Sequence, residues 1–350
     1  MIPPGWSRFI GKGKFFLIVE KTTALRIGSL ILSNPLLLAP LSGISSLPFR
    51  LLAKEQGCGM VCSEMISAEG LLRNRRASEK FLKSCPEERP LAVQIFGSNP
   101  QSMAEAAKII EGYGVDVLDI NMGCPVKKVV KGGSGAALLK DPKRLGEILR
   151  SVRKAIAIPL TGKIRSGWDE KNINFLEIAR VSEECGVNAL TLHGRTRTQG
   201  YGYKANWDVI AQTKRHLRIP VIGSGDLTSP EAIQHFFVQT NADGAMIGRG
   251  ALGNPWIFRQ TLQILRGSLP EEPSLEEKEE TILRHLRMMI ESQGELRGAR
   301  EFRKHLIWYT RGLRGSSEFR SQLPHWESPG EMVGRIREFF QTLKTSRLFS

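Results

Sequence analysis

The chain has no Cys-x-x-Cys pair, no apolar run long enough to cross a membrane, and too little acid to balance its base. Its five cysteines, at 58, 62, 85, 124 and 185, are an odd and scattered set. That pattern argues against a disulfide framework and a clustered zinc site, and it suits a reducing cytoplasm. No stretch approaches the roughly eighteen apolar residues of a spanning helix. The N-terminal run Phe15–Val19 is too short for a signal core, and no small-residue cleavage site follows it cleanly. Fifty Lys and Arg stand against thirty-five Asp and Glu, a formal charge of +15. Such an excess says little about fold, but it favours a polyanionic partner such as nucleic acid or an anionic membrane surface. A Gly-x-Gly-x-x-Gly turn is also missing after the first strand-like run, which counts against a doubly wound dinucleotide-binding sheet.

What is present is a rhythm. Eight short apolar or β-branched runs recur at even spacing: Leu36–Ala39, Met60–Met65, Leu91–Phe96, Val117–Asn121, Leu160–Ile164, Ala189–His193, Val221–Ser224 and Ala245–Gly248. Between them lie helix-length stretches such as Pro100–Tyr113, Pro142–Ala157 and Lys171–Cys185. Strands alternating with helices imply βαβ units and a parallel sheet, and eight of them predict an α/β fold of the (β/α)₈ TIM barrel type. The barrel is expected over residues 25–268, after an N-terminal extension, 1–24, of unknown role. From 274 to 350 the pattern becomes helical, with Ser274 placed to cap an acidic first turn. Between Arg297 and Arg320 seven Lys/Arg are interleaved with Phe302, Trp308, Tyr309 and Phe319. This reads as a small, basic, all-helical C-terminal domain appended to the barrel, or as an ordinary solvated helical face.

Gln94, Asn121, Cys124, Lys163, Arg165, His193, Arg195, Asp226 and Arg249 all fall at or just past the C-terminal ends of the runs. That is the face that carries the active site in barrel enzymes. Cys124 sits in Asn121-Met122-Gly123-Cys124-Pro125-Val126-Lys127-Lys128. The two lysines would place a thiol in a positive field, which suits a proton donor or nucleophile near an anionic substrate. The alternative is a small buried cysteine. Gly223-Ser224-Gly225-Asp226 and Gly248-Arg249-Gly250, after the last two strands, are placed to bind a phosphate through backbone N–H groups and the Arg249 guanidinium. A phosphate there, below an apolar barrel mouth, fits flavin mononucleotide (FMN). Lys163 would meet the ring's pyrimidine edge, Gln94 would offer amide bonds, and His193 would reach toward the phosphate.

The cysteine loop resembles the signature of the tRNA-dihydrouridine synthases, flavin enzymes that reduce uridine in transfer RNA. Further motifs follow in family order: Ala39-Pro40-Leu41-Ser42-Gly43 with Pro48-Phe49-Arg50, Gln94-Ile95-Phe96-Gly97, Lys163-Ile164-Arg165-Ser166-Gly167-Trp168, and His193 through Tyr201. Arg303-Lys304-His305 with Trp308-Tyr309 is similar to the family's helical domain, most like the bacterial B-type subgroup. Leu41 stands where the family usually has methionine, and Ser224 where it has asparagine.

The resemblance implies that Pro40, Leu41, Ser42, Gln94, Asn121, Lys163, Ser224, Gly225, Asp226, Gly248 and Arg249 hold FMN, with His193 at its phosphate. It implies NADPH or NADH as reductant and uridine of the tRNA D-loop as substrate. Hydride would pass from FMN N5 to C6, and Cys124 would protonate C5. Lys127, Lys128, Arg165, Arg195, Arg197, Arg300, Arg303 and Lys304 would contact the RNA backbone. No metal, membrane or obligatory protein partner is expected. A small-molecule flavin dehydrogenase of the dihydroorotate type shares the barrel, but its substrate needs no basic clamp. A non-catalytic RNA-binding barrel would have no use for an intact Cys124, Lys163 and His193.

Overall fold

The computed structural model describes residues 6–11, 14–19, 24–200, 202–326 and 328–348. Eight parallel strands form the barrel: β1 (Leu36–Leu38), β2 (Val61–Cys62), β3 (Leu91–Phe96), β4 (Val117–Met122), β5 (Leu160–Arg165), β6 (Ala189–His193), β7 (Val221–Ser224) and β8 (Gly244–Ile247). Each pairs with its sequence neighbour, and β8 returns to β1. The ring closes where Leu37 bridges to Met60 and Leu38 N–H donates to the Met60 carbonyl at 3.0 Å. A short second piece, Ile66–Ser67, pairs with the end of β3. The eightfold barrel and the helical C-terminal part are as the spacing predicted.

Helix starts between the strands are written in a repeated dipeptide. Asn99-Pro100, Asp141-Pro142 and Ser229-Pro230 each place a side-chain acceptor just before a proline. Proline lacks the N–H that would be orphaned there, and the preceding oxygen accepts from the next free ones. Asn99 takes Gln101 and Ser102 N–H, Asp141 takes Arg144 N–H and Ser229 takes Ala232 N–H. The helices that follow cover the outside of the sheet, so the strands are buried on both faces and read as near-continuous apolar runs. β4 is buried at all six positions. Gly223 in β7 marks a tight fit of helix on strand: a Cβ there would lie 2.1 Å from the Phe236 ring.

Leu37, Ala39, Met60, Cys62, Ala92, Val117, Ala189, Ile222 and Met246 form one cluster in the barrel interior. A hairpin, Leu25–Ile27 with Leu30–Leu32, adds Leu25, Ile27 and Leu32 to it. That plug leaves the opposite, C-terminal mouth as the open end. Of the segment 1–24, two strands, Trp6–Gly11 and Lys14–Val19, pair antiparallel. Residues 1–5, 12–13 and 20–23 of that extension, and Tyr201 of the His193 motif, lie outside the described residues.

The C-terminal helices are Leu275–Gln293, Glu295–Tyr309, Ser316–Gln322 and Pro329–Leu348. Ser274 caps the first as expected, its Oγ accepting Glu277 N–H at 3.1 Å. The interleaved aromatics turn inward: Phe302, Tyr309 and Phe319 are buried with Ile282, Leu286, Ile336 and Phe340. Trp256, from beyond β8, belongs to the same core. Phe49 of the first barrel helix packs at 5.8 Å against both His285 and His305. Gly253, at φ +63°, abuts the Trp308–Tyr309 backbone so closely that a Cβ would meet it at 2.3 Å. A bidentate Arg284–Glu55 pair and the Lys83 ammonium on the Ser292 carbonyl add polar ties.

Candidate active site

A cavity of about 420 Å³ opens at the C-terminal mouth of the barrel. Pro40, Leu41 and Ser42 line it after β1, Gln94 on β3, Asn121 and Cys124 after β4, Lys163 and Arg165 on β5, and His193 on β6. Ser224, Gly225 and Asp226 follow β7, and Gly248 and Arg249 follow β8. All twelve residues expected around a cofactor therefore line one cavity, together with Cys124. One end is rich in glycine and arginine, the other in amides and Lys163, with Ala39, Leu41 and Met65 also in the wall.

The amide end is tightly wired. Asn121 Oδ1 accepts the backbone N–H of Gly123 at 3.2 Å and of Cys124 at 2.9 Å, fixing the cysteine loop to the strand end. Asn121 Nδ2 donates to Gln94 Oε1 at 2.7 Å, and Gln94 Nε2 donates to Asp119 Oδ2 at 2.6 Å. Thr161 Oγ donates to the other Asp119 oxygen at 2.6 Å. Asp119 stands in the motif Asp119-Ile120-Asn121-Met122-Gly123-Cys124-Pro125 that shares in the family resemblance, but no role was expected of it, although an acid inside the run Val-Leu-Asp-Ile is a visible signal.

Electrostatics set the protonation states. Burial pushes the Cys124 thiol up from 9, against the Val126 N–H and the charges of Arg165 and Lys163, so the thiol form dominates at neutral pH. The expected source of the field is corrected here. Lys127 and Lys128 are exposed on the short helix Lys127–Lys131, and the cations that act on the sulfur are on β5. Burial, with Arg165 beside it, pulls Lys163 down to about 8. Burial and four surrounding cations hold His193 well below its usual range, so it is neutral. Arg195 Nη1 lies 3.1 Å from His193 Nε2; as the guanidinium can only donate, Nε2 accepts.

The arginines divide differently from the expectation. Arg195 is 1 % exposed and its Nη2 lies 2.6 and 2.8 Å from the Asp226 oxygens, so it braces the β6–β7 corner. Asp226, in a left-handed conformation at φ +57°, also accepts from Arg249 at 2.8 Å and from Ala205 N–H. Burial works against its charge, but these donors hold its carboxyl below the usual range. Asp226 thus orients the two arginines. Arg165 is buried as well, donating to the Gly123 and Thr196 carbonyls at 3.0 and 2.7 Å. Arg197 stacks over Trp168 at 4.7 Å.

On the helical side Arg300 is exposed, whereas Arg303 donates to the Trp326 carbonyl and Lys304 pairs with Glu301 at 2.5 Å. Lys304 and Arg297 also line a second cleft of about 470 Å³ between the barrel rim and the helices, with Lys80, Lys83 and Glu64 opposite. Gly43 N–H donates to Glu64 there, and Arg50, buried on Glu88, holds the Ser45 carbonyl of the same loop at 2.9 Å. No described helix is long and apolar enough to cross a membrane.

Known proteins resemble this chain over most of its length. The tRNA-dihydrouridine synthase B of Pasteurella multocida is 42 % identical over 320 residues, 91 % of this chain and 96 % of its own length. The probable tRNA-dihydrouridine synthase of Rickettsia conorii is 38 % identical over 327 residues, 93 % of this chain and 99 % of its own. A solved 6-hydroxypseudooxynicotine amine oxidase from Pseudomonas geniculata shares the barrel at 14 % identity and a TM-score of 0.57, over 75 % of this chain. The chain spans about half the length of that structure, 52 %, and the likeness is one of fold alone. The sequence model described as dihydrouridine synthase matches residues 37–345, and the chain belongs to the dihydrouridine synthase family.

Proposed function

We propose that this chain reduces the C5–C6 double bond of uridine in the D-loop of tRNA, with FMN as its bound cofactor and NADPH or NADH as reductant. The observation that carries the reading is the Cys124 thiol, kept protonated at the mouth of a cavity whose other residues suit a flavin. The fit rests on chemistry at the two ends. Gly225, Gly248 and Arg249 present backbone and a guanidinium suited to a phosphate, while Gln94 and Lys163 present N–H groups suited to ring carbonyls and Asn121 lines the same end. The wall formed by Ala39, Leu41 and Met65 suits an aromatic ring between them. When bound, the flavin supplies the hydride.

The chain's own task is placement and one proton. The C5–C6 bond of uracil is conjugated with its C4 carbonyl, so hydride addition at C6 leaves negative charge on C5 and O4. A thiol raised by burial is a donor and a poor nucleophile, which suits protonation at C5 and disfavours attack on the base. Asn121, by holding the Cys124 N–H, fixes where that proton is offered. Lys163, charged below about pH 8, favours anionic character at the ring edge it faces. Uridine in a folded RNA must be turned out of its stack to reach the cavity. Exposed Lys127, Lys128 and Arg300, with Arg297, Lys80 and Lys83 along the interdomain cleft, are suited to the flanking phosphates. Arg165 and Arg197 brace the rim of the same mouth. A cytoplasmic setting matches both the unpaired cysteines and the RNA substrate.

The test is direct. Purified protein should release a fluorescent flavin on acid treatment and, with NADPH and an unmodified tRNA transcript, should form dihydrouridine detected by mass spectrometry of the nucleosides. A flavin-loaded protein that oxidises NADPH but leaves tRNA unchanged would exclude the substrate.

A further inference from the structure

The hydrogen-bond chain at the amide end has a direction, and it can be read from the backbone outward. The Gly123 and Cys124 N–H groups can only donate, so Asn121 must turn its oxygen to the cysteine loop. Its amide nitrogen then faces Gln94, which must answer with its own oxygen, at 2.7 Å. Gln94 is left presenting Nε2 to position 119, at 2.6 Å, and only an acceptor there satisfies it. Asp119 is 3 % exposed, and its second oxygen takes the Thr161 hydroxyl. Burial raises its pKa, while Gln94, Thr161 and the Lys163 charge favour the ionised form. A donor at position 119 would turn both amides and leave the cysteine-loop N–H groups facing N–H groups.

We propose that Asp119 is a positioning residue, a buried acceptor that sets the orientation of the Gln94 and Asn121 amides and through them holds Cys124 at the cavity mouth. It touches neither substrate nor cofactor. The same relay leaves the second amide hydrogen of Gln94 as the group available to a ligand, since Asn121 Nδ2 donates to Gln94 and faces Met65 Sδ at 3.6 Å. This end of the cavity therefore recognises carbonyl oxygens and repels N–H edges. The inference rests on the reading of Cys124 as the proton donor only where turnover is concerned; the positioning claim can be tested without cofactor or RNA.

The experiment is the alkylation rate of Cys124 by iodoacetamide in cofactor-free protein, followed by mass spectrometry of the peptide that carries it. Asp119→Ala should release the loop, lower the thiol pKa through exposure and speed alkylation about tenfold. Gln94→Met, which breaks the relay while leaving the carboxylate in place, should do the same and covers the case in which Asp119→Ala fails to fold. Asp119→Asn can still turn its oxygen to Gln94 and its amide to the Thr161 hydroxyl, so it should stay within about twofold of the parent. A double variant with Asn121→Ala should be no faster than either single one, because all three act through one chain of bonds. Parent-like rates in both Asp119→Ala and Gln94→Met, or an Asp119→Asn rate matching Asp119→Ala, would overturn the proposal. In flavin-loaded Asp119→Ala, reduction by NADPH should hold while oxidation by tRNA slows. Fast alkylation with undiminished tRNA turnover would keep the positioning claim and remove Cys124 as the acid.

Discussion

At the scale of the residue, position along a strand decided most of the chemistry. Cys124, Gln94, Lys163 and His193 were legible because each is a polar interruption at the C-terminal end of an apolar run. Replacing Cys124 by Ala should leave flavin content and its reduction by NADPH near normal. Dihydrouridine formation should fall by about 10² to 10⁴, the usual worth of a general acid; unchanged turnover on tRNA would contradict the assignment. Lys163 carries a pH prediction. With its pKa lowered to about 8, its charge is present below that value and lost above it. Flavin affinity, measured by fluorescence quenching, should weaken as pH rises through about 8, and Lys163→Met should flatten that profile. The arginines were less legible, because a basic residue near a basic mouth reads the same whether it faces RNA or a buried carboxylate. Only the fold shows that Arg195 belongs to Asp226 and Arg303 to the Trp326 carbonyl.

At the scale of the element, the eight runs became the eight strands with ends shifted by at most one residue, except that the second stops at Cys62 where the run reached Met65; burial on both faces leaves little ambiguity in an apolar run. The helical segment was legible as helix but not as a shared core. Of its four interleaved aromatics, Phe302, Tyr309 and Phe319 are buried in one core with Trp256, while Phe49 of the barrel packs on His285 and His305. Removing residues after about 270 should therefore strip cover from Phe49 and Trp256, at about 1.5–3 kcal/mol for each large side chain exposed. The truncated barrel should aggregate; a soluble, flavin-binding barrel would show that the seam is dispensable. The same seam holds His285 and His305, ring centroids 4.4 Å apart, both depressed by burial, His305 to about 3. A histidine whose folded pKa lies below its unfolded value of 6.5 contributes stability that is complete above 6.5 and is lost as pH falls toward the folded value. Each should cost up to about 1.4 kcal/mol per pH unit across that window. Urea unfolding at pH 7 and pH 5 should show the loss, and His305→Phe should reduce it; equal midpoints at both pH values would contradict it.

At the scale of the whole molecule, the net charge of +15 and the basic interdomain cleft point to a polyanion, and the depth of the barrel mouth to a base turned out of its stack. Affinity for tRNA should fall steeply with salt. Charge reversal at Lys127, Lys128 and Arg300, the exposed members of the expected set, should flatten the log–log slope by about two to three and weaken all tRNAs alike. An unchanged slope would mean that these three form only a solvated face. The most direct test of the central claim is a single anaerobic turnover. Protein carrying NADPH-reduced flavin, freed of excess reductant, is mixed with unmodified tRNA while flavin absorbance and dihydrouridine are measured together. The account predicts one dihydrouridine for each flavin reoxidised in the parent protein, and almost none of either on the same timescale in Cys124→Ala. Flavin that stays reduced in the presence of tRNA, or reoxidises without dihydrouridine, would contradict it.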